Sequence, residues 1–112
     1  MSDTVYRSFQ AICLKLPEAV EKETWGEQTF RVRDKIFAVF SASEARASCK
    51  APAGVQQILV GADPARFYVP PYVGHKGWIG IRLDEQADWA EIESLVIRSY
   101  RMTAPKKLAA LL

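Results

Sequence analysis

Apolar residues in the first half of the chain recur with two different periods. Val5, Phe9, Ile12, Cys13 and Leu16 fall at spacings of three and four, which predicts a helix behind a cap at Ser2 or Asp3; Pro17 forbids its continuation. Residues 18–26 are acidic, carry no such stripe, and are expected to form a connection. The period then changes to two. Residues 28–33 and 35–41 alternate as strands around a tight Arg33-Asp34-Lys35 turn, and 46–51 alternates again. Pro52 and Gly54 open a short helix over 55–61, closed by Asp63-Pro64.

In the second half, 66–72 and 77–83 read as a strand pair around Val73-Gly74-His75-Lys76, where glycine permits the bend. Asp88 followed by Glu91 resembles a capping box. Trp89, Ile92, Val96 and Tyr100 lie on one side of the helix it opens. Thr103 can cap a last short helix with Pro105 in its first turn, where the missing N–H costs nothing. The order α-β3-α-β2-α predicts an α+β fold of two layers, an antiparallel sheet of about five strands with helices on one face. The other face must then be wet, or covered by a ligand or partner.

At 112 residues, 1–112 reads as a single domain. With 49% hydrophobic and 25% charged residues it is of ordinary globular composition, without repeats or linkers. Asp3, Arg7 and Lys15 interrupt the apolar residues of the N-terminus, which argues against a signal peptide, and no apolar run approaches the roughly 20 residues of a membrane span. A cytoplasmic protein with no membrane partner is expected. Cys13 and Cys49 form no CxxC and have no ligand-spaced histidine, so buried, reduced thiols are expected and no metal site.

The net charge of +2 is small, but the charges are segregated. Arg31, Arg33, Lys35, Arg46 and Lys50 outweigh Asp34 and Glu44 in the middle of the chain, and Arg98, Arg101, Lys106 and Lys107 end it without an acid. Strand alternation sets Phe30 and Val32 against Thr29, Arg31 and Arg33; Ala47 and Cys49 against Arg46, Ser48 and Lys50; Phe67 against Arg66 and Tyr68; Ile79 and Ile81 against Trp78, Gly80 and Arg82. If the apolar sets face the helices, the open face is basic and aromatic. Guanidinium groups bind phosphate in pairs of hydrogen bonds and aromatic faces stack on bases, so nucleic acid suits such a surface. The competing explanation is structural: Arg31 and Arg33 pair with surface acids while Trp78 and Tyr68 fill a shallow second core or a dimer contact. His75 has no orienting carboxylate or nucleophile in view, and no Ser/His/Asp or Cys/His arrangement surrounds it.

Four segments carry a resemblance: Trp25-Gly26 with Phe30-Arg31-Val32; Lys35-Ile36-Phe37-Ala38; the long string Phe67-Tyr68-Val69-Pro70-Pro71-Tyr72-Val73-Gly74-His75-Lys76-Gly77-Trp78; and Ala104-Pro105-Lys106-Lys107-Leu108. On these the chain resembles the MmcQ/YjbR family over nearly its whole length. The resemblance implies a CyaY-like, two-layer fold and a double-wing, DNA-binding role of uncharacterised detail. It supplies no catalytic residues, and similarity to frataxin-like folds implies iron only with an acidic ridge, to which Glu18, Glu21, Glu23 and Glu27 are the nearest approach.

The leading expectation is therefore a non-enzymatic nucleic-acid-binding protein without cofactors, acting through Arg31, Arg33, Lys50, His75, Lys76, Trp78 and Arg82. The alternative is a binding domain for a small anionic ligand or a protein partner, with Trp25, Tyr72, His75 and Trp78 around a pocket. Enclosure separates the two: a concave aromatic pocket favours a small ligand, a flat sheet favours a polymer.

Overall fold

A computed structural model describes residues 3–112, without the side chain of Asp3; the expected cap at Ser2 or Asp3 lies outside what is described. Its elements run α1 (Asp3–Leu14), β1 (Val20–Thr24), β2 (Glu27–Val32), β3 (Lys35–Ser41), β4 (Arg46–Cys49), α2 (Val55–Ala62), β5 (Phe67–Tyr68), β6 (Ile79–Arg82), α3 (Trp89–Thr103) and α4 (Lys106–Ala109). The strands form one antiparallel sheet in the order β1-β2-β3-β4-β6-β5. The expected α+β architecture stands, with six strands in place of about five.

The added strand is β1, drawn from the acidic stretch expected to be a connection. It pairs with β2 along its full length, from Val20 opposite Arg31 to Thr24 opposite Glu27. Glu21 points toward the helices, where Tyr6 donates to one carboxylate oxygen and the Gln10 amide to the other at 2.7 Å. A strand whose inward side chain is a carboxylate bonded to polar helix residues shows no hydrophobic alternation, which is why the sequence hides it.

The core lies between the sheet and helices α1 and α3. Phe9 packs edge-on to Phe30 and stacks on Phe40, with ring centroids 5.8 and 5.9 Å away, and Phe37 meets Tyr100 edge-on at 5.4 Å. These aromatic pairs, with Ile79, Ile81, Ile92 and Val96, are fully buried. The Asp88 carboxylate caps α3 by accepting from the Glu91 N–H at 3.1 Å, as the spacing predicted.

One irregularity shapes the sheet. The β2–β3 register slips between Phe30, opposite Ala38, and Arg31, opposite Ile36, so Phe37 is the extra residue of a bulge and turns into the core beside Ala38. A bulge leaves main-chain groups without ladder partners. Ser99, buried on α3, meets this need: its hydroxyl donates to the Phe37 carbonyl at 2.5 Å and accepts from the Lys50 amide at 2.9 Å. Among the described residues no helix is long and apolar enough to cross a membrane.

Candidate functional site: a cleft on the open face of the sheet

The face away from α1 and α3 is concave. Across it, Thr29 lies opposite Val39, Val39 opposite Ser48, Ser48 opposite Gly80, and Gly80 opposite Tyr68, so these residues share one side of adjacent strands. Of these, Thr29, Val39, Ser48 and Tyr68 floor a cleft of about 500 Å³. That is within the range of small-molecule sites, roughly 300–1,000 Å³.

One wall is the β1–β2 hairpin. Its two-residue loop is Trp25-Gly26, with φ of 51° and 83°, the pair of left-handed residues that a tight hairpin demands. Asparagine or glycine usually occupies the first of these positions; here an indole does, and it is 99% exposed. The other wall is the loop after β5. Pro70 and Pro71 have no N–H to give a ladder, and the Val73 N–H closes back onto the Pro71 carbonyl at 2.7 Å around Tyr72, whose φ is 68°. This is a γ-turn of the rare, strained hand. It throws the Tyr72 ring outward, 92% exposed, and both Trp25 and Tyr72 line the same cleft.

The loop is held from below. Gln56, buried on α2, donates its side-chain amide to the carbonyls of Gly74 and Trp78 at 2.8 and 2.6 Å. Gly74 is packed so closely that an added Cβ would stand 2.5 Å from a Val69 methyl. Between these fixed points Trp78 lies against the sheet, only 7% exposed, yet outside the helix-side core. The indole expected to project into solvent instead fills a shallow second core under the Pro70–Val73 loop.

At the far end of the cleft Tyr68 lies flat on Gly80, where a Cβ would come within 2.4–2.7 Å of three ring atoms. A glycine opposite an edge-strand aromatic lets the ring cover the backbone. Arg46 and Arg82, directly opposite each other on β4 and β6, each place a guanidinium 4.9 Å from the centre of that ring. Burial raises the Tyr68 phenol above its ordinary pKa, against the opposing pull of the two arginines, so the ring is neutral at physiological pH.

The expected nucleic-acid residues do not gather in one place. Arg33 leaves the sheet face: with Asp34 it forms the second two-residue hairpin loop, φ 50° and 68°, and its guanidinium grips Glu18 at 2.6 and 3.1 Å. Arg31 does lie on the open face but is tied down, bonding Thr29 and Thr24 at 3.1 Å each and standing 3.6 Å from Asp34. Lys50 follows β4 and is half-buried. His75 and Lys76 sit on an exposed 3-10 turn (Gly74–Lys76) and do not line the cleft, a correction to the pocket expected around His75. Nor do Glu18, Glu21, Glu23 and Glu27 form a ridge: Glu18 holds Arg33, Glu21 faces the helices, and no group of three His, Cys, Asp or Glu converges among the described residues. Both cysteines are buried and free, and burial pushes the Cys49 thiol up to about 12. Gln56, Arg46 and Tyr68 are the determinants of the cleft that the expected site set omitted.

Against known proteins, the YjbR family model matches residues 14–102. No curated protein matches. Among solved structures, the Deinococcus radiodurans protein DR2400, a DUF419 domain, superposes with a TM-score of 0.78 at 19% identity, covering 87% of this chain and 76% of that one. At that identity the likeness speaks for the fold, and the same α+β arrangement recurs there.

Proposed function

The chain belongs to the YjbR family, and from that premise we propose that it is a non-enzymatic binding domain that takes a flat, ring-bearing small molecule into the cleft on its open sheet face. One observation carries this reading: Trp25 and Tyr72, from loops far apart in sequence, both stand almost wholly exposed, in left-handed backbone conformations, at the mouth of one cleft. Each such conformation costs on the order of 1–3 kcal/mol. Each ring also forgoes about 2.5 kcal/mol for every 100 Å² of apolar surface left in water. The turns need a left-handed residue but not an aromatic one, and a planar ligand slotted against both rings recovers the cost of their exposure as stacking and burial.

The same two rings support a second reading, the expected binding of nucleic acid, with single-stranded bases stacked on Trp25 and Tyr72 and phosphates near Arg46 and Arg82. A flat, basic polymer surface has less support, since Arg33 and Arg31 are committed to Glu18 and to Thr24, Thr29 and Asp34. Thermal-shift screening of planar small molecules beside short single-stranded DNA separates the readings. The proposal expects stabilisation by small molecules, lost on Trp25→Ala or Tyr72→Ala. Stabilisation by DNA alone, falling roughly sevenfold in affinity between 50 and 200 mM salt as two neutralised phosphates on a single strand require, would transfer the function to the second reading.

A further inference from the structure

In the Arg46–Tyr68–Arg82 cluster, where Arg46 and Tyr68 line the end of the cleft and Arg82 stands beside them, neither arginine has an ion-pair partner, although the Glu44 charge is felt at the Tyr68 phenol. Like charges directly opposite each other on neighbouring strands destabilise a sheet, and Arg46 and Arg82 are such a pair. The described ion pairs engage Arg31, Arg33, Arg66 and Lys15, and none includes Arg46 or Arg82. Glu27 and Glu44 line the cleft, but neither lies within ion-pair distance of the two guanidinium groups. Tyr68 offers its ring and no charge.

The two arginines are nonetheless positioned. Arg82 donates one terminal nitrogen to the carbonyls of Pro64 and Phe67 at 3.0 and 3.4 Å, which fixes the fork and leaves its other N–H groups free. Arg46 is half-buried against Tyr68 and lines the cleft. Two guanidinium groups held against one half-buried aromatic ring form a receptor for a planar or tetrahedral oxyanion. We infer that the ligand is a ring acid: an aromatic or heteroaromatic ring held between Trp25 and Tyr72, bearing a carboxylate or phosphate that Arg46 and Arg82 bind. This rests on the reading of the cleft as a small-molecule site and adds the charge of its occupant.

The test uses matched pairs in which only the charge differs: 1-naphthoate with 1-naphthamide, indole-3-acetate with its amide, and adenosine monophosphate with adenosine. Binding is followed by tryptophan fluorescence on the full chain. The acid of at least one pair is expected to bind tenfold or more tightly than its neutral partner, and Arg46→Ala or Arg82→Ala to reduce the ratio of acid to neutral affinity to about one. Carboxylate pairs responding where the phosphate pair does not, or the reverse, identifies which oxyanion the cluster reads. Arg46→Gln and Arg82→Gln serve where the alanine variants unfold. Neutral partners binding as tightly as the acids, or an acid preference that survives both substitutions, overturns the inference while the cleft remains a ring site. Failure of every acid and every neutral partner overturns both.

Discussion

Gln56 on α2 donates to the carbonyl of Trp78 at 2.6 Å, and its second amide hydrogen reaches Gly74 at 2.8 Å. One buried side chain thus fixes both ends of the turn that carries the cleft wall. Gln56→Ala leaves the buried Trp78 carbonyl without its side-chain donor, while the Gly74 carbonyl keeps the Gly77 N–H at 3.0 Å, an expected loss of about 1–3 kcal/mol. Gln56→Glu keeps the shape but offers carboxylate oxygens to carbonyls, so chemical denaturation should show it at least as damaging at neutral pH. Wild-type stability in Gln56→Glu would contradict the role assigned to the amide.

Ser99→Ala removes the donor to the bulge carbonyl of Phe37 and the acceptor for the Lys50 amide. Urea denaturation should register a cost of about 1–3 kcal/mol. Ser94→Ala, exposed on the same helix, should stay within about 0.5 kcal/mol of the parent. Equal effects at the two positions would remove the special place given to Ser99.

Much of this architecture is legible in the sequence because burial and period coincide. The β2–β3 hairpin shows its alternation and its Arg33-Asp34 turn, and α3 shows its Asp88 cap and apolar stripe. β1 stays hidden because Glu21 takes the inward position and satisfies Tyr6 and Gln10 rather than a hydrophobic neighbour. For the cleft, Trp25, Tyr72 and Trp78 could be named as aromatic residues beside loops, but not their fates: two are thrown outward by positive φ, and the third is largely buried in the cleft wall. His75 fails because it stands exposed on a 3-10 turn outside the residues that line the cleft. Gln56 and Gln57 are adjacent and chemically identical, so only the helix's placement tells which one is buried. Arg33 offers a similar lesson, since strand parity ends where the two-residue turn begins.

Alkaline pH should destabilise the protein through its thiols. Burial raises Cys49 from 9.0 to about 12, and burial together with the neighbouring Cys49 raises Cys13 further. A folded-state pKa above the unfolded one gives stability that is complete below the unfolded value and lost as pH rises toward the folded one. The loss should therefore begin near pH 9.0 and continue to about pH 12, and Cys49→Ala should shallow it by up to about 1.4 kcal/mol per pH unit. At pH 8 both native thiols should react with an aromatic disulfide reagent far more slowly than after denaturation. Rapid labelling of the folded protein would refute their burial.

The chain has three tryptophans, placed as reporters: Trp25 at the mouth of the cleft, Trp78 in its wall, and Trp89 at the start of α3 on the helix side. Indole N–H resonances, followed by two-dimensional NMR during addition of pooled aromatic carboxylates and nucleoside monophosphates at millimolar concentration, test the cleft directly. The account predicts that Trp25 shifts most, Trp78 less, and Trp89 not at all. A Trp25 resonance that stays fixed, or a response confined to Trp89, would contradict it.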